Sequence, residues 1–336
     1  MVSIKDIAAA CGVSVATVSK AMHGYADVNQ ETMRKVKQTA ERLGYVPSSI
    51  AQAMRTNSTR NLGIVFVDEQ GSGLRHEYFS TLLESFKSSS ERLGYDLTLI
   101  SGNPDRSPWN SLLSHCRYRQ CDGVLIACVD FTNPDVQELM RSDIPIVTVD
   151  YQFPGSPAIL SDNEHDMRVL TEYAIGRGHA NIAFIHGEMT DVTRQRLAGF
   201  AQACRDHGLS IPDYNIVAAE FHNPDLSMKA TRMLLSLAEP PTCIMYPDDY
   251  SAISVSNVLE RKGMNIPDDL SVVGYDGILM SRMVTPQLTT MRQNAYTMGQ
   301  LAAEQLIATI EGDSDDDAQR IVVQGSLYEG MTVKRI

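Results

Sequence analysis

Residues 3–20 read Ser3-Ile-Lys-Asp-Ile-Ala-Ala-Ala-Cys-Gly-Val-Ser-Val-Ala-Thr-Val-Ser-Lys20, two short helical patterns separated by a glycine. Ser3 lies between Val2 and Ile7, and Ser14 between Val13 and Val18. Each helix start thus offers a polar cap and an apolar pair that staples the entering chain to the first turn. Asp6, three residues after Ser3, completes a reciprocal cap. The first pattern puts Ile4, Ile7, Ala8 and Cys11 on one face, and Gly12 supplies the left-handed residue of a tight turn. The second, from Val15 to about Met22, buries Val18 and Ala21 and turns Val15, Ala16, Thr17, Ser19 and Lys20 outward. Asn29, between Val28 and Met33, opens a third helix whose Met33, Val36, Ala40 and Leu43 close a small bundle before Gly44. The order is helix, turn, helix, followed by a packing helix.

Charge gives this module a direction. The 336-residue chain has a net charge of -12, yet residues 1–60 carry +4 and the remainder -16. A basic module joined to an acidic body fits DNA contact confined to one end. Ser14, Thr17 and Ser19 can donate to phosphates, Lys20 can reach a base edge or a phosphate, and Val15 and Ala16 can touch a thymine methyl. By the same pattern alone, a three-helix bundle without a DNA role is also possible.

The segments Ile4-Lys-Asp-Ile-Ala, Gly12-Val-Ser-Val-Ala-Thr-Val-Ser-Lys20 and Glu41-Arg-Leu-Gly-Tyr-Val-Pro47 resemble the headpiece of the lactose/galactose-repressor (LacI/GalR) family. The resemblance implies that Val15, Ala16 and Lys20 read the half-site and that Tyr45 contacts the phosphate backbone. Lys20 stands where arginine is commoner, so the bidentate guanidinium contact is lost. It also implies a hinge helix within residues 47–60, with Met54 as the apolar wedge in a minor-groove step. Ser48, Gln52 and Met54 depart from the usual Asn, Arg and Leu there.

From residue 61 onward, short β-rich runs alternate with helical patterns, which is the mark of parallel α/β architecture. Strands are expected at Leu62–Val67, Asp96–Ile100, Gly123–Cys128, Pro145–Val149, Ile182–His186, Ile216–Ala219, Cys243–Tyr246 and Ser271–Tyr275. The length favours two subdomains with a cleft between them. Ser161-Asp-Asn, Arg177-Gly-His-Ala-Asn-Ile, Arg196-Leu-Ala-Gly-Phe200 and Leu270-Ser-Val-Val-Gly-Tyr-Asp276 are similar to the effector domain of the same family, itself like a periplasmic sugar-binding protein.

The expected fold is an all-α helix-turn-helix headpiece (1–46), a hinge (47–60) and an α/β effector and dimerisation domain (61–336) of two doubly wound parallel-sheet subdomains. The first subdomain is expected over about 61–160 plus 291–320, and the second over about 161–290 plus 321–336.

Open α/β sheets bind ligands beyond strand ends. Asp162, Asp248, Asp249 and Asp276 follow such ends, where they can accept hydroxyl hydrogen bonds or simply cap the next helix. The resemblance places ligand contacts at Tyr78, Phe79, Asp162, Arg196, Asp249 and Asp276, with Phe221 as an aromatic platform and His222 as its alternative. Asp248, at a position where asparagine is common, favours a hydroxyl-rich or amino-bearing ligand over an acidic one.

Enzyme motifs are lacking. Gly71-Ser-Gly73 has neither the third glycine of a dinucleotide fingerprint nor a phosphate-loop lysine, there is no Gly-x-Ser-x-Gly or His-Glu-x-x-His, and His186 reads as a core or edge residue. Glu311-Gly-Asp-Ser-Asp-Asp-Asp317 lacks calcium-loop spacing and reads as a solvated loop. Six scattered cysteines without a Cys-x-x-Cys pair read as reduced thiols.

No cofactor, metal or membrane contact is implied, and the expected location is the cytoplasm. The functional expectation is a homodimeric repressor that binds palindromic operator DNA and senses a small carbohydrate-like metabolite. A carbohydrate-modifying enzyme with an accessory DNA-binding domain is the alternative.

Overall fold

The described residues of the amino-terminal unit form three helices: α1 (Ile4–Cys11), α2 (Val15–Met22) and α3 (Gln30–Leu43). The structure, a computed structural model, describes residues 2–46, 58–66, 73–100, 111–313 and 320–336. Contacts divide the chain into Met1–Thr59 and Arg60–Ile336. The backbone N–H and hydroxyl of Ser3 both donate to Asp6 Oδ2 at 2.8 Å. Ser14 Oγ accepts from the Thr17 amide at 3.1 Å, and Asn29 Oδ1 from the Glu31 amide at 2.8 Å. Gly12 and Gly44, both at φ 67°, end α1 and α3 in the left-handed conformation that only glycine adopts without strain. Ile7, Ala8, Cys11, Val18, Ala21, Val36 and Ala40 form the core, with Met33 and Leu43 packed at its edge.

The described residues of the second unit form twelve strands: β1 (Asn61–Phe66), β2 (Asp96–Ile100), β3 (Gly123–Ala127), β4 (Ile146–Val149), β5 (Ala158–Ser161), β6 (Ile182–His186), β7 (Ile216–Ala218), β8 (Cys243–Met245), β9 (Ser271–Asp276), β10 (Thr289–Arg292), β11 (Arg320–Val323) and β12 (Ser326–Tyr328). They form two six-stranded sheets ordered β2-β1-β3-β4-β5-β11 and β7-β6-β8-β9-β10-β12. Every pairing is parallel except β10 with β12. Each sheet has apolar clusters on both faces, so its central strands read as continuous buried runs rather than as alternating ones. In both sheets the strand order reverses beside the first strand, leaving a crevice at the carboxyl ends.

Four strands, β5, β10, β11 and β12, were not among the eight expected from sequence. Each is short and offers at most three consecutive apolar residues, too few for a strand signal. Two boundaries also need correction. Ile321 pairs with Ile159 in the first sheet, although 321–336 was expected in the second subdomain. Met291 and Arg292 pair with Tyr275 and Asp276 in the second sheet, although 291 was expected to begin a return to the first.

The chain therefore crosses between lobes after β5, after β10 and between β11 and β12. Hydrogen bonds tie the crossings together. The Asp162 amide donates to Val323 O at 3.0 Å, Gln324 Nε2 to Asp162 Oδ2 at 3.1 Å, and Ser161 Oγ to Gln293 Oε1 at 3.2 Å. No described helix is long and apolar enough to cross a membrane, and all six cysteines are free thiols.

Candidate functional site

The outward face of α2 carries the residues expected to meet DNA. Val18 and Ala21 turn into the core, which leaves Ser14, Val15, Ala16 and Lys20 exposed and Thr17 and Ser19 half-buried. Val15 is 45% exposed. Tyr45 packs half-buried against the bundle core. Lys20 forms an ion pair with Asp27, and this hydrogen bond holds the Asp27 carboxyl below its ordinary range. Sequence reading missed Asp27 because the pair spans the turn after α2 rather than one helix face. Met54, Ser48, Gln52 and the rest of 47–57 lie outside the described residues, as do residues 314–319 of the acidic run.

In the second unit, a cavity of about 490 Å³ opens between the two sheets at the carboxyl ends of their strands. The first lobe contributes His76, Tyr78 and Phe79 from the helix start that follows β1, Phe131 after β3, and Asp150 and Tyr151 after β4. The second contributes Glu188 to Arg196 after β6, Phe221 and His222 after β7, Asp276 at the end of β9, and Gln293 after β10. Phe131 and Tyr151 stack with centroids 4.1 Å apart and planes within 5°. Phe221 lies on Gly187, where an added Cβ would come within 2.3 Å of its ring.

Among the described residues, four of the six non-glycine residues with positive φ line this cavity: Cys128 (53°), Asp150 (55°), His222 (54°) and Asp276 (111°). Such conformations cost about 1–3 kcal/mol each and persist where the surroundings over-determine them, commonly at binding sites.

Arg196 is buried, with its guanidinium carbon 3.5 Å above the Tyr275 ring centre. Its Nε donates to Asn163 Oδ1 at 2.9 Å and one Nη to Pro247 O at 3.1 Å. Burial raises the Asp276 carboxyl to about 6, against the opposing pull of Arg196 and His222. Gln293 Nε2 donates to Asp276 Oδ1 at 2.6 Å. Burial also lifts the Tyr78 hydroxyl well above its usual range, with Asp150, which accepts its proton at 3.0 Å, adding to the effect.

Of the seven expected ligand contacts, Tyr78, Phe79, Arg196, Phe221 and Asp276 line the cavity. His222, the alternative to Phe221, lines it as well. Asp162 and Asp249 do not. Asp162 stands at the first crossing and binds Gln324, so it belongs to the connection between lobes. Asp249 is fully buried beneath β9, accepting from Thr290 Oγ1 at 2.6 Å and from the Ile278 amide at 2.9 Å. It fixes the backbone just beyond Asp276 instead of facing a ligand. Asp248 caps the helix Asp249–Arg261 through the Ser251 amide at 2.8 Å and holds the His222 amide at 2.8 Å.

A Cβ at Gly274 would lie 2.2 Å from Asp249 Oδ1 and 2.7 Å from Leu288 Cδ2. Gly274→Ala is expected to destabilise the second unit by about 1–3 kcal/mol, the usual cost of overpacking. Denaturant unfolding followed by circular dichroism checks this; a variant with unchanged midpoint contradicts it.

His76, Glu188, Gln293 and the Phe131–Tyr151 stack were not identified from the sequence. No local pattern marks them, because the topology assembles them from five separate connections.

Known proteins share this whole plan. The family described as bacterial regulatory proteins, lacI family, matches residues 3–48, and the periplasmic binding protein-like domain matches 171–333. The HTH-type transcriptional repressor PurR of Histophilus somni (strain 129Pt) is 30% identical over 315 residues, 92% of each chain. Among solved structures, the lac repressor dimer bound to operator and the anti-inducer ONPF superposes with a TM-score of 0.81 at 22% identity, over 99% of each chain. The transcriptional regulator CelR–cellobiose complex does so with a TM-score of 0.70 at 24% identity, over 99% of this chain and 100% of that one. With a capped helix-turn-helix in its first unit, a two-lobed cavity in its second and a relative matching 92% of its length, this chain belongs to the LacI family of DNA-binding transcriptional repressors, which small-molecule effectors regulate and which are not enzymes.

Proposed function

We propose that the protein acts as a homodimer on a palindromic operator in the cytoplasm, and that a carbohydrate or carbohydrate-like metabolite in the cleft controls its hold on DNA. The observation that carries this reading is the composition of the cavity. Aromatic faces from Phe79, Phe221 and Tyr151 alternate with the polar tips of Arg196, Asp276, Glu188 and Gln293. Such a surface covers the apolar faces of a sugar ring and pairs its hydroxyls.

In this reading Val15, Ala16 and Lys20 contact base edges, while Ser14, Thr17, Ser19 and Tyr45 hold phosphates. Twofold symmetry doubles the few contacts one short helix provides, and Met54 wedges the centre of the site. A ligand touching both lobes favours their closed arrangement, which shifts the first lobe and weakens the paired hinge segments within 47–60. The sign follows from which lobe arrangement the ligand prefers, so a corepressor of the same class acts in the opposite direction.

The parallel Phe131–Tyr151 stack favours one second reading, a flat heteroaromatic ligand. Selection of genomic fragments by the purified chain, followed by fluorescence anisotropy with neutral sugars, amino sugars, sugar acids and nucleobases, separates the two. A neutral or amino sugar is expected to change operator affinity. A response confined to nucleobases overturns the carbohydrate reading, and no preferred fragment under any ligand overturns the regulator.

Asp27 bears on the DNA side. Because Asp27 engages Lys20, Asp27→Asn is expected to free that ammonium and remove a charge that repels phosphates. Operator affinity should rise and its salt dependence steepen, measured by anisotropy across a salt series. Unchanged affinity and slope would place Lys20 outside the DNA contact.

A further inference from the structure

We infer that His76, His222 and Asp276 form a binding site for a divalent transition-metal ion that bridges the two lobes, with an open coordination position facing the effector cavity. The inference rests on the cleft being the effector site. One ligand atom from each of the three residues falls within 4.8 Å of the others. His76 Nε2 is 3.7 Å from Asp276 Oδ2, and the two imidazole centroids are 4.0 Å apart. A tetrahedral zinc ion with bonds of about 2.0–2.1 Å holds its ligand atoms roughly 3.4 Å apart, so small side-chain rotations bring this set to coordination distance.

The donor set suits an imidazole-preferring ion. Two nitrogens and one carboxylate oxygen match zinc, nickel, cobalt or ferrous iron better than magnesium or calcium, which take oxygen shells. The supports around the ligands are also of the right kind. Gln293 Nε2 holds Asp276 Oδ1 at 2.6 Å and so turns Oδ2 toward His76. Asp248 fixes the His222 backbone by accepting its N–H at 2.8 Å. Outer contacts of this sort orient metal ligands.

The rings of Phe79 and Tyr250 stand 5.5 and 5.3 Å from His76 and screen that imidazole from water. Arg196 opposes a cation here and Asp248 favours one, both acting on Asp276. All three ligands line the cavity, so an effector hydroxyl or carboxylate can complete the shell.

The placement gives the ion a consequence. His76 precedes the helix Glu77–Arg92 of the first lobe, whereas His222 and Asp276 end β7 and β9 connections in the second. The neighbouring residue already spans the same wall, since the Glu77 carboxylate accepts the Leu279 amide at 2.7 Å. An ion bound to all three favours the arrangement that brings the lobes together.

The test uses full-length protein freed of metal by a chelator and titrated with zinc chloride alone in competition with a chromophoric indicator. One ion per chain is expected, along with a visible ligand-field spectrum when cobalt is substituted. Even an outer-shell partner is worth about 10–100-fold in affinity, so His222→Asn is expected to weaken binding at least ~100-fold. Asparagine tolerates the φ of 54° at that position. Asp276→Asn should weaken binding similarly, while His207→Asn, on the exposed end of another helix, should not. Absence of binding, or equal binding by the His222→Asn variant, overturns the site. Calorimetry of a carbohydrate with the metal-free protein tests the cleft separately, so failure of the ion leaves that reading standing.

Discussion

Operator binding by a Val18→Asp variant is expected to fall to the non-specific level, while the second unit keeps its thermal transition and its ligand affinity. Val18 is fully buried in a core of seven residues. An ionised carboxylate placed there has no partner, and its burial costs several kcal/mol even after the surroundings relax. A bundle of this size folds with only a few kcal/mol in hand, since so short a chain buries a small share of its surface. The helix that carries Val15, Ala16 and Lys20 therefore loses its support. The Arg60–Ile336 unit has separate cores and should not register the change. Anisotropy with the selected operator and differential scanning calorimetry read the two effects independently. Specific binding by the variant would falsify the assignment of α2 as the reading helix.

The complementary result is expected from Arg196→Ala, namely operator affinity near that of the parent and an effector response displaced to much higher concentration. The guanidinium is held flat over Tyr275 and anchored by Asn163 and Pro247, so its position is fixed before ligand arrives. A hydrogen bond to a charged group contributes about 1.5–3 kcal/mol, so its loss shifts the effective concentration roughly 10- to 100-fold. Arg196→Lys should not rescue the response, because an ammonium supplies neither the planar face nor the fork. Thermal stability should also fall, since Asn163 Oδ1 and Pro247 O lose a buried donor. Ligand titrations of operator release, with the operator affinity of the unliganded variant as reference, check both halves. A normal ligand response in Arg196→Ala removes Arg196 from the binding surface.

The amino-terminal unit was legible because its signals are local. Ser3, Ser14 and Asn29 start helices, Gly12 and Gly44 stop them, and the structure forms those caps with hydrogen bonds. Parallel α/β architecture was legible for a related reason, as central strands such as β3 and β6 are continuous apolar runs. The short strands β5, β10, β11 and β12 offer at most three consecutive apolar residues, and β11 joins the first sheet only because the chain returns to that lobe after β10. Of the expected contacts, Arg196 and Asp276 line the cavity while Asp162 and Asp249 do not. An aspartate after a strand looks the same in sequence whether it faces a ligand, joins two lobes or braces a backbone from beneath. His76 and His222 lie 146 positions apart, a separation that only the folded topology removes.

Gln293 gives the protein a mechanical link from pocket to pivot. Its amide nitrogen donates to Asp276 and its amide oxygen accepts from the Ser161 hydroxyl, so one side chain touches both the strand tip that lines the cavity and the strap where the polypeptide first changes lobes. Any occupant that pulls on Asp276 must tug the same strap. The three crossings are thus laced to one another, so the two lobes share a single seam rather than three independent tethers.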